Sequence, residues 1–217
     1  YLITCLFQIR KILPETTVFL IADKNPNLSF VRWVDLQSVS SAFERFSEVY
    51  EHLSSNSELF ERLCFYRWFA VRELMKGRNL RRVLHLDTDV LLLSDPWHIL
   101  RNVPDDHIAI GSSSGGSFSP HFLFISGEKV LGEFCDFCID MYTNQEKREV
   151  LRRFYRQKIE AGEGGGVCDM YAFGWASGWR GQCSVRIPTA ELNLPEKYGI
   201  AIDMSLPDAN TADVRQY

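Results

Sequence analysis

Apolar residues at Leu2, Cys5, Leu6, Ile9 and Leu13 recur with a helical period, and Pro14 ends that run. Thr17-Val18-Phe19-Leu20-Ile21-Ala22 is a continuous apolar stretch of strand length, closed by Asp23 and the loop Asn25-Pro26-Asn27. Residues 31–34 read as a short strand and 42–53 as a helix. Ser57 stands where it can cap a long amphipathic helix through Phe60, Leu63, Cys64, Trp68, Val71, Leu74 and Met75 to Gly77. A strand ending at Asp87 follows, then strands at 107–110 and 121–125, helices at 128–142 and 146–159, and a helix opening near Asp169. Alternating helices and strands predict an α/β fold, mostly parallel, with a Rossmann-like central sheet and flanking helices. No repeat or long linker divides residues 1–217, so one domain is expected. A helix-then-strand opening implies a strand before it. The chain is therefore expected to be a fragment truncated at the N-terminus, and at the C-terminus as well.

Composition narrows the function only by exclusion. Hydrophobic residues make up 46% and the net charge is −4, so no global basic field points to nucleic acid. Two local basic clusters stand out, at Arg78-Asn79-Leu80-Arg81-Arg82 and from Arg148 to Lys158. They read as solvated helix faces or loop ends, and the second also suits peripheral contact with an anionic membrane or acceptor. No stretch approaches the roughly 20 apolar residues of a bilayer span, and no signal peptide is visible. Cys135 and Cys138 form a C-x-x-C within a helix-like segment and lack the second ligand pair that a zinc site needs. The cysteines read as small buried side chains, reduced, in a cytoplasmic protein.

The run Arg82-Val83-Leu84-His85-Leu86-Asp87-Thr88-Asp89-Val90-Leu91-Leu92-Leu93 carries the chemistry. Two acids at the end of a buried strand are costly unless something offsets their desolvation. Residues i and i+2 of a strand point the same way, so Asp87 and Asp89 are expected to converge on one divalent cation, the competing reading being a solvated strand–turn junction. Oxygen-only ligation suits Mg²⁺ or Mn²⁺ bound with substrate phosphates, which suggests a metal–diphosphate site. Arg67, on the preceding helix between aromatics, has the planar fork that suits phosphate or carboxylate; Arg72 is the less favoured substitute. Asp169 follows Gly164-Gly165-Gly166-Val167-Cys168 at a helix start, where the dipole stabilises a carboxylate and glycine permits close approach to a ligand. It is the candidate general base, with Glu163 a weaker alternative and an N-terminal helix acid the competing role. Of the histidines, His85 reads as a hydrogen-bonded core residue, and His52, His98, His107 and His121 lack ligand spacing. Tyr171, Phe173, Trp175 and Trp179 are mainly core, with one of them assigned to an acceptor cleft.

In Leu86-Asp87-Thr88-Asp89 with Pro96 soon after, in Arg67, and in Gly164 to Met170, the chain resembles the metal-dependent nucleotide-diphospho-sugar glycosyltransferases of the A-type fold. That resemblance implies a nucleoside-diphosphate sugar donor of UDP or GDP type, a glycan or lipid-linked acceptor, and Mn²⁺ or Mg²⁺ on Asp87 and Asp89. It also implies that Arg67 and Asp87 contact the donor and that Gly165 and Gly166 lie beside it. Ser126-Gly127 is similar in position to an Asn-Ser-Gly stretch near the donor sugar, although Ile125 replaces the Asn and Ser126 can instead cap the helix after it. Relatives often take a third metal ligand from a C-terminal His, and Asp203 is the substitute here.

Two other readings stay open. A haloacid-dehalogenase-type phosphatase also ends a strand in two acids, but it wants Thr or Val where Leu91 stands, and Asp105-Asp106 follows too soon for its later acidic pair. A non-catalytic nucleotide-sugar-binding domain keeps the cation and needs no base at Asp169.

Overall fold

The computed structural model describes residues 1–112, 118–178 and 189–191 of the chain. It is a mixed α/β structure. Helix α1 (Leu2–Ile12) leads into β1 (Val18–Ala22), which pairs in parallel with β2 (Val31–Asp35). A 3-10 helix (Leu36–Phe43) and the short α2 (Glu44–Val49) follow, so the helix expected over 42–53 starts earlier, as 3-10, and ends at Val49, with residues 50–53 not helical. Ser57 caps α3 (Glu58–Arg78) by accepting from the Phe60 amide, and Asn79 closes it in the left-handed region at φ 51. Then come β3 (Arg82–Leu86), α4 (Trp97–Leu100), β4 (His107–Ser112), β5 (Phe118–Ser126), α5 (Glu128–Thr143), α6 (Gln145–Glu160), α7 (Asp169–Ala176) and β6 (Thr189–Glu191).

The larger sheet has the order β3-β5-β4-β6. The expectation of a mostly parallel central sheet does not hold here. β5 runs antiparallel to both β3 and β4, and only β4–β6 is parallel. The reason lies in the connection: five residues join β4 to β5, and a parallel partner needs a crossover of a dozen or more. A strand buried on both faces shows the same apolar run in either direction, so Phe122-Leu123-Phe124-Ile125 carried no sign of its orientation.

β5 separates two cores. Leu123 and Ile125 face α3, α5 and α7 together with Ile108 and Ile110 of β4, while Phe122 and Phe124 turn to Leu13, Leu92, Leu100 and Val103. On the first side Phe134 of α5 stacks on Phe173 of α7, with ring centroids 3.8 Å apart. β3 divides in the same way. Val83 packs into the first core and Leu84 and Leu86 into the second, so His85 and Asp87 share the side of α3.

Between β1 and β3 lies an apolar groove of about 530 Å³, walled by α1 and α3 and ending at Asp87 and Thr88. Consecutive residues of both strands border it, Val18 to Ile21 and Arg82 to Leu86. Consecutive strand side chains point to opposite faces, so the groove runs along strand edges. No strand among the described residues pairs with those edges.

α6 is amphipathic and is tied to the segment after α2 by charge. Glu51 accepts from Arg148 Nε at 2.6 Å and from Arg152 Nε and Nη2 at 2.9 Å each. Arg156 pairs with Glu149 and Lys158 with Glu163. Much of the second basic cluster is thus neutralised within the fold. Of the first cluster, Arg81 and Arg82 both pair with Asp105. Among the described residues no helix is long and apolar enough to cross a membrane.

The Arg152 hydrogen bond, helped by Arg148 and opposed by burial, holds the Glu51 carboxyl below its usual range. A depressed carboxyl stabilises the fold above the unfolded value, about 4.3, and loses that contribution as pH falls through the folded value. The stability gap between wild type and Glu51→Gln is therefore expected to shrink as pH is lowered from about 5 to about 3. Urea denaturation across that range checks it, and a gap independent of pH counts against the clamp.

Candidate functional site at the end of β3

The carboxyl end of β3, the middle of α3 and the first turn of α7 meet around one guanidinium. Arg67 donates from Nη1 to Asp87 Oδ1 at 2.5 Å, and from Nη2 and Nε to Asp169 Oδ2 at 2.6 and 3.1 Å. Its Nε also reaches the Cys64 carbonyl at 3.1 Å, and the guanidinium lies 4.9 Å from the centroid of the Trp68 ring. Each terminal nitrogen makes one such carboxylate bond and has a second N–H, and Arg67 lines the groove together with Asp87 and Thr88.

Each carboxylate is held from further sides. Asp87 accepts from His85 Nε2 at 3.1 Å and His121 Nδ1 at 2.5 Å; a carboxylate only accepts, so both ring nitrogens carry the proton. Asp169, 1% exposed, takes the Trp68 indole N–H on Oδ2 at 2.9 Å and the Met170 amide on Oδ1 at 2.9 Å. The Met170 contact is that of an acid in the first turn of a helix, beside the positive end of the dipole. Burial alone raises the Asp87 carboxyl, but the bonds from His121 and His85 and the charge of Arg67 outweigh it and hold Asp87 well below the usual range. For Arg67, burial opposes the charged form and the two carboxylates more than restore it, so it stays charged. Burial and the neighbouring guanidinium lower His85, which is neutral at neutral pH.

Three residues chosen from the sequence therefore come together, with Asp87 and Asp169 both bound to Arg67. The others are placed differently. The Val90 amide bonds back to the Asp87 carbonyl at 3.1 Å, so Thr88 and Asp89 form the centre of a turn. The strand rule that aligned Asp87 with Asp89 does not apply beyond Leu86. Asp89 is exposed, and the Cys5 thiol on α1, raised by burial, is raised further by its charge. Ser126 pairs with Arg82 at the opposite end of the ladder from Asp87, because β5 is antiparallel; its hydroxyl reaches Asp105 Oδ1 at 3.4 Å, and Gly127 takes the N-cap position of α5. Arg72 binds Glu128 at 2.9 Å and serves as a tie between α3 and α5. Glu163 is exposed and paired with Lys158. Phe173 and Trp175 are core, and Tyr171 packs on Phe154. Asp203 and Trp179 lie outside the described residues.

The glycine run approaches the chain's own backbone. The Gly165 amide donates to Ser55 Oγ at 2.8 Å, its carbonyl accepts from the Ser55 amide at 3.1 Å, and the Val167 amide donates to the Leu53 carbonyl at 2.8 Å. At Gly166 a Cβ would overlap the Leu53 carbonyl oxygen and lie 2.8 Å from Ser54 Cβ. Gly165 has φ 76, which glycine adopts without strain. The run is thus a close-packed strap against residues 53–55.

For a cation, the donor set is thin. Asp87 is committed to Arg67, His85 and His121, and no group of three or more His, Cys, Asp or Glu gathers as a ligand set among the described residues. A cage made wholly of protein ligands does not fit. A hard divalent ion that keeps its waters and leans on a diphosphate needs only one or two carboxylates, and the exposed Asp89 fits that.

Sequence reasoning passed over His121. Its neighbour in space follows from the β3–β5 register, in which the Asp87 amide donates to the His121 carbonyl at 2.9 Å, and that register depends on the antiparallel pairing. His85 was legible as an i, i+2 partner of Asp87 on one strand face.

Arg67→Leu is expected to cost about 3–5 kcal/mol, because it strands a buried carboxylate. Adding Asp169→Leu is expected to recover part of that loss. Urea titration of the four members of the cycle measures the coupling, and simple additivity of the two substitutions would contradict it. Gly166→Ala is expected to destabilise by about 1–3 kcal/mol through overlap with Leu53 and Ser54, whereas Gly162→Ala, which meets nothing within 4 Å, carries only the strain of its φ of 70.

The chain matches no protein-family model and no characterised protein sequence. Among solved structures it is similar to the apo form of mouse xyloside xylosyltransferase 1, at 12% identity and a TM-score of 0.43, over 76% of this chain and 64% of that one. The chain thus spans less than two thirds of that protein's length, and a likeness this distant leaves function to be argued from the site itself.

Proposed function

We propose that the protein is a metal-dependent glycosyltransferase that moves a sugar from a nucleoside-diphosphate donor of UDP or GDP type to a glycan or lipid-linked acceptor. One observation carries this reading: the Arg67 guanidinium, fixed by Asp87 and Asp169, lines a groove together with Asp87 and Thr88, the residue next to Asp89. A planar donor held in place before the ligand arrives costs little to organise around phosphate oxygens.

Charge supports a cation in the same place. Asp87 and Asp169 set two carboxylates against one guanidinium, and Asp89 adds a third acid two residues from Asp87, a charge balance that disfavours a bare diphosphate. Mn²⁺ or Mg²⁺ held by Asp89 would neutralise charge on the leaving diphosphate as the glycosidic bond breaks. The chain's own residues orient. Asp87 and Asp169 prevent Arg67 from rotating, His85 and His121 prevent Asp87 from turning, and Thr88 lines the groove end.

Asp169 enters this proposal as the anchor of Arg67. A general base needs an oxygen open to the acceptor hydroxyl, and both of its oxygens already accept hydrogen bonds in a site closed to solvent. The same saturation favours, as a second reading, a non-catalytic nucleotide-sugar-binding domain. The phosphatase reading loses support, since its attacking carboxylate would be Asp87, whose oxygens are taken by Arg67, His85 and His121.

Calorimetric titration of UDP and GDP, each with and without Mn²⁺, tests the proposal on wild type and Asp89→Ala. Binding of one nucleotide is expected to require Mn²⁺ and to weaken at least about tenfold, or 1.4 kcal/mol, in Asp89→Ala. Binding followed by release of free sugar from the matching nucleotide sugar supports the transferase; binding without turnover on donor and acceptor mixtures supports the non-catalytic reading. A folded wild-type protein that binds neither nucleotide removes both.

A further inference from the structure

Glu61 is a carboxylate that the site does not use directly, yet it is fully buried in the first turn of α3. Its Oε1 accepts from Ser54 Oγ at 2.7 Å and from Asn56 Nδ2 at 2.8 Å, and Ser54 Oγ in turn accepts from the Asn56 amide at 3.2 Å. Its Oε2 is buried and has no hydrogen-bond partner among the described residues. An apolar side chain would fill that volume without burying a carboxylate. All the polar contact that Glu61 makes is directed at one place, residues 54–56.

That place is the strap that holds the glycine run. Ser54 bridges Gly166, Ser55 binds Gly165 in both directions, and Leu53 receives the Val167 amide. Two residues beyond Val167 stands Asp169, with its carboxylate on Arg67 and Trp68. α3 therefore grips Asp169 twice, at the carboxylate through Arg67 and Trp68 and at the preceding backbone through Glu61. Glu61 and Trp68 are seven residues apart, two helical turns, so one helix face carries both grips.

We infer that Glu61 is a positioning residue for Asp169, acting through Ser54 and the Gly165–Val167 strap, and through Asp169 on the guanidinium of Arg67. The inference rests on the reading that places Arg67 and Asp169 in the functional site. Without the Glu61 acceptor, the Ser54 hydroxyl and the Asn56 side-chain amide lose their common anchor, and residues 53–55 keep only the Ser55 hydroxyl and backbone bonds to the glycine run. Glycines gain more freedom than other residues when released. Asp169 then follows its own backbone, and the orientation of Arg67 changes with it.

The test uses the full chain with three substitutions, Glu61→Ala, Ser54→Ala and Glu61→Gln, and two signals that do not depend on activity. One is amide hydrogen exchange at Gly165 and Val167. The other is the NMR resonance of the Trp68 indole N–H, which reports its bond to Asp169. Glu61→Ala and Ser54→Ala are expected to speed exchange at both amides about tenfold or more and to shift the Trp68 indole resonance. Glu61→Gln keeps an acceptor oxygen and is expected to restore both signals. Leu100→Ala, a buried change in α4 within the other core, is the control for general loss of stability and leaves the indole resonance in place. Ser54→Ala keeps the helix intact and decides the matter if Glu61→Ala does not fold. Unchanged exchange and an unchanged indole signal in a folded Glu61→Ala or Ser54→Ala overturn the inference, as does a Glu61→Gln protein as disturbed as Glu61→Ala. If wild type binds neither UDP nor GDP, the transferase proposal fails, while these two signals still judge the role of Glu61.

Discussion

A single guanidinium between two carboxylates is the contact on which the arrangement depends. Asp87 belongs to the end of a strand and Asp169 to the start of a helix far along the chain, and Arg67 joins both to α3. Burying three charges has a large desolvation cost, and their mutual attraction offsets it only when the geometry is good and the remaining lone pairs are satisfied. Here both oxygens of each carboxylate accept further bonds, from His85, His121, Trp68 and the Met170 amide. The network is therefore weak evidence for stability and stronger evidence for a fixed shape. Its members cannot be exchanged one at a time, which is how a constellation of polar groups keeps its geometry inside an otherwise aromatic interior.

α3 is suited to carry it. It is 21 residues long, capped at both ends, and clothed by Phe65, Trp68, Phe69, Val71 and Met75, which pack into the main core. Trp68 meets His85 and Phe173 edge-on, at 4.7 and 5.2 Å between centroids. Side chains mounted on so rigid an element keep their positions better than side chains on loops. The loops that do contribute, at residues 53–56 and 164–168, are stapled to each other by backbone bonds.

How much of this could be read from the residues depended on the distance over which each cause acts. The helices came through because their period, caps and stops are local: Ser57, Pro14 and the change of pattern after Tyr142 lie within a turn of what they control. Arg67, Asp87 and Asp169 were recognisable because a charge in an apolar run has to be compensated, whatever the fold. Sheet direction was not written in the strands, since Phe122 to Ile125 looks the same either way; the five residues joining β4 to β5 held that information. Once the direction is antiparallel, Ser126 moves to the far end of the sheet and His121 arrives beside Asp87. The turn at Thr88-Asp89 was hidden for a different reason. A strand rule was carried past the end of the strand, and only the bond from Val90 to Asp87 reveals where the chain bends. The glycine run was assigned to a ligand, whereas the backbone it approaches belongs to Leu53 and Ser54.

The thiols described here hold a lesson about chemical reactivity. Cys5, Cys64, Cys135, Cys138 and Cys168 are all free. Burial, with the nearby charge of Asp169, pushes Cys64 up to about 12, and the same two causes take Cys168 to about 12. Burial raises Cys135 and Cys138 as well. The thiolate is the form that oxidants and alkylating reagents attack, and at neutral pH these residues hold almost none of it. They behave as small apolar side chains that happen to contain sulfur. Burial explains their low reactivity without reference to the redox potential around the protein, so unpaired thiols do not by themselves argue for a cytoplasmic home.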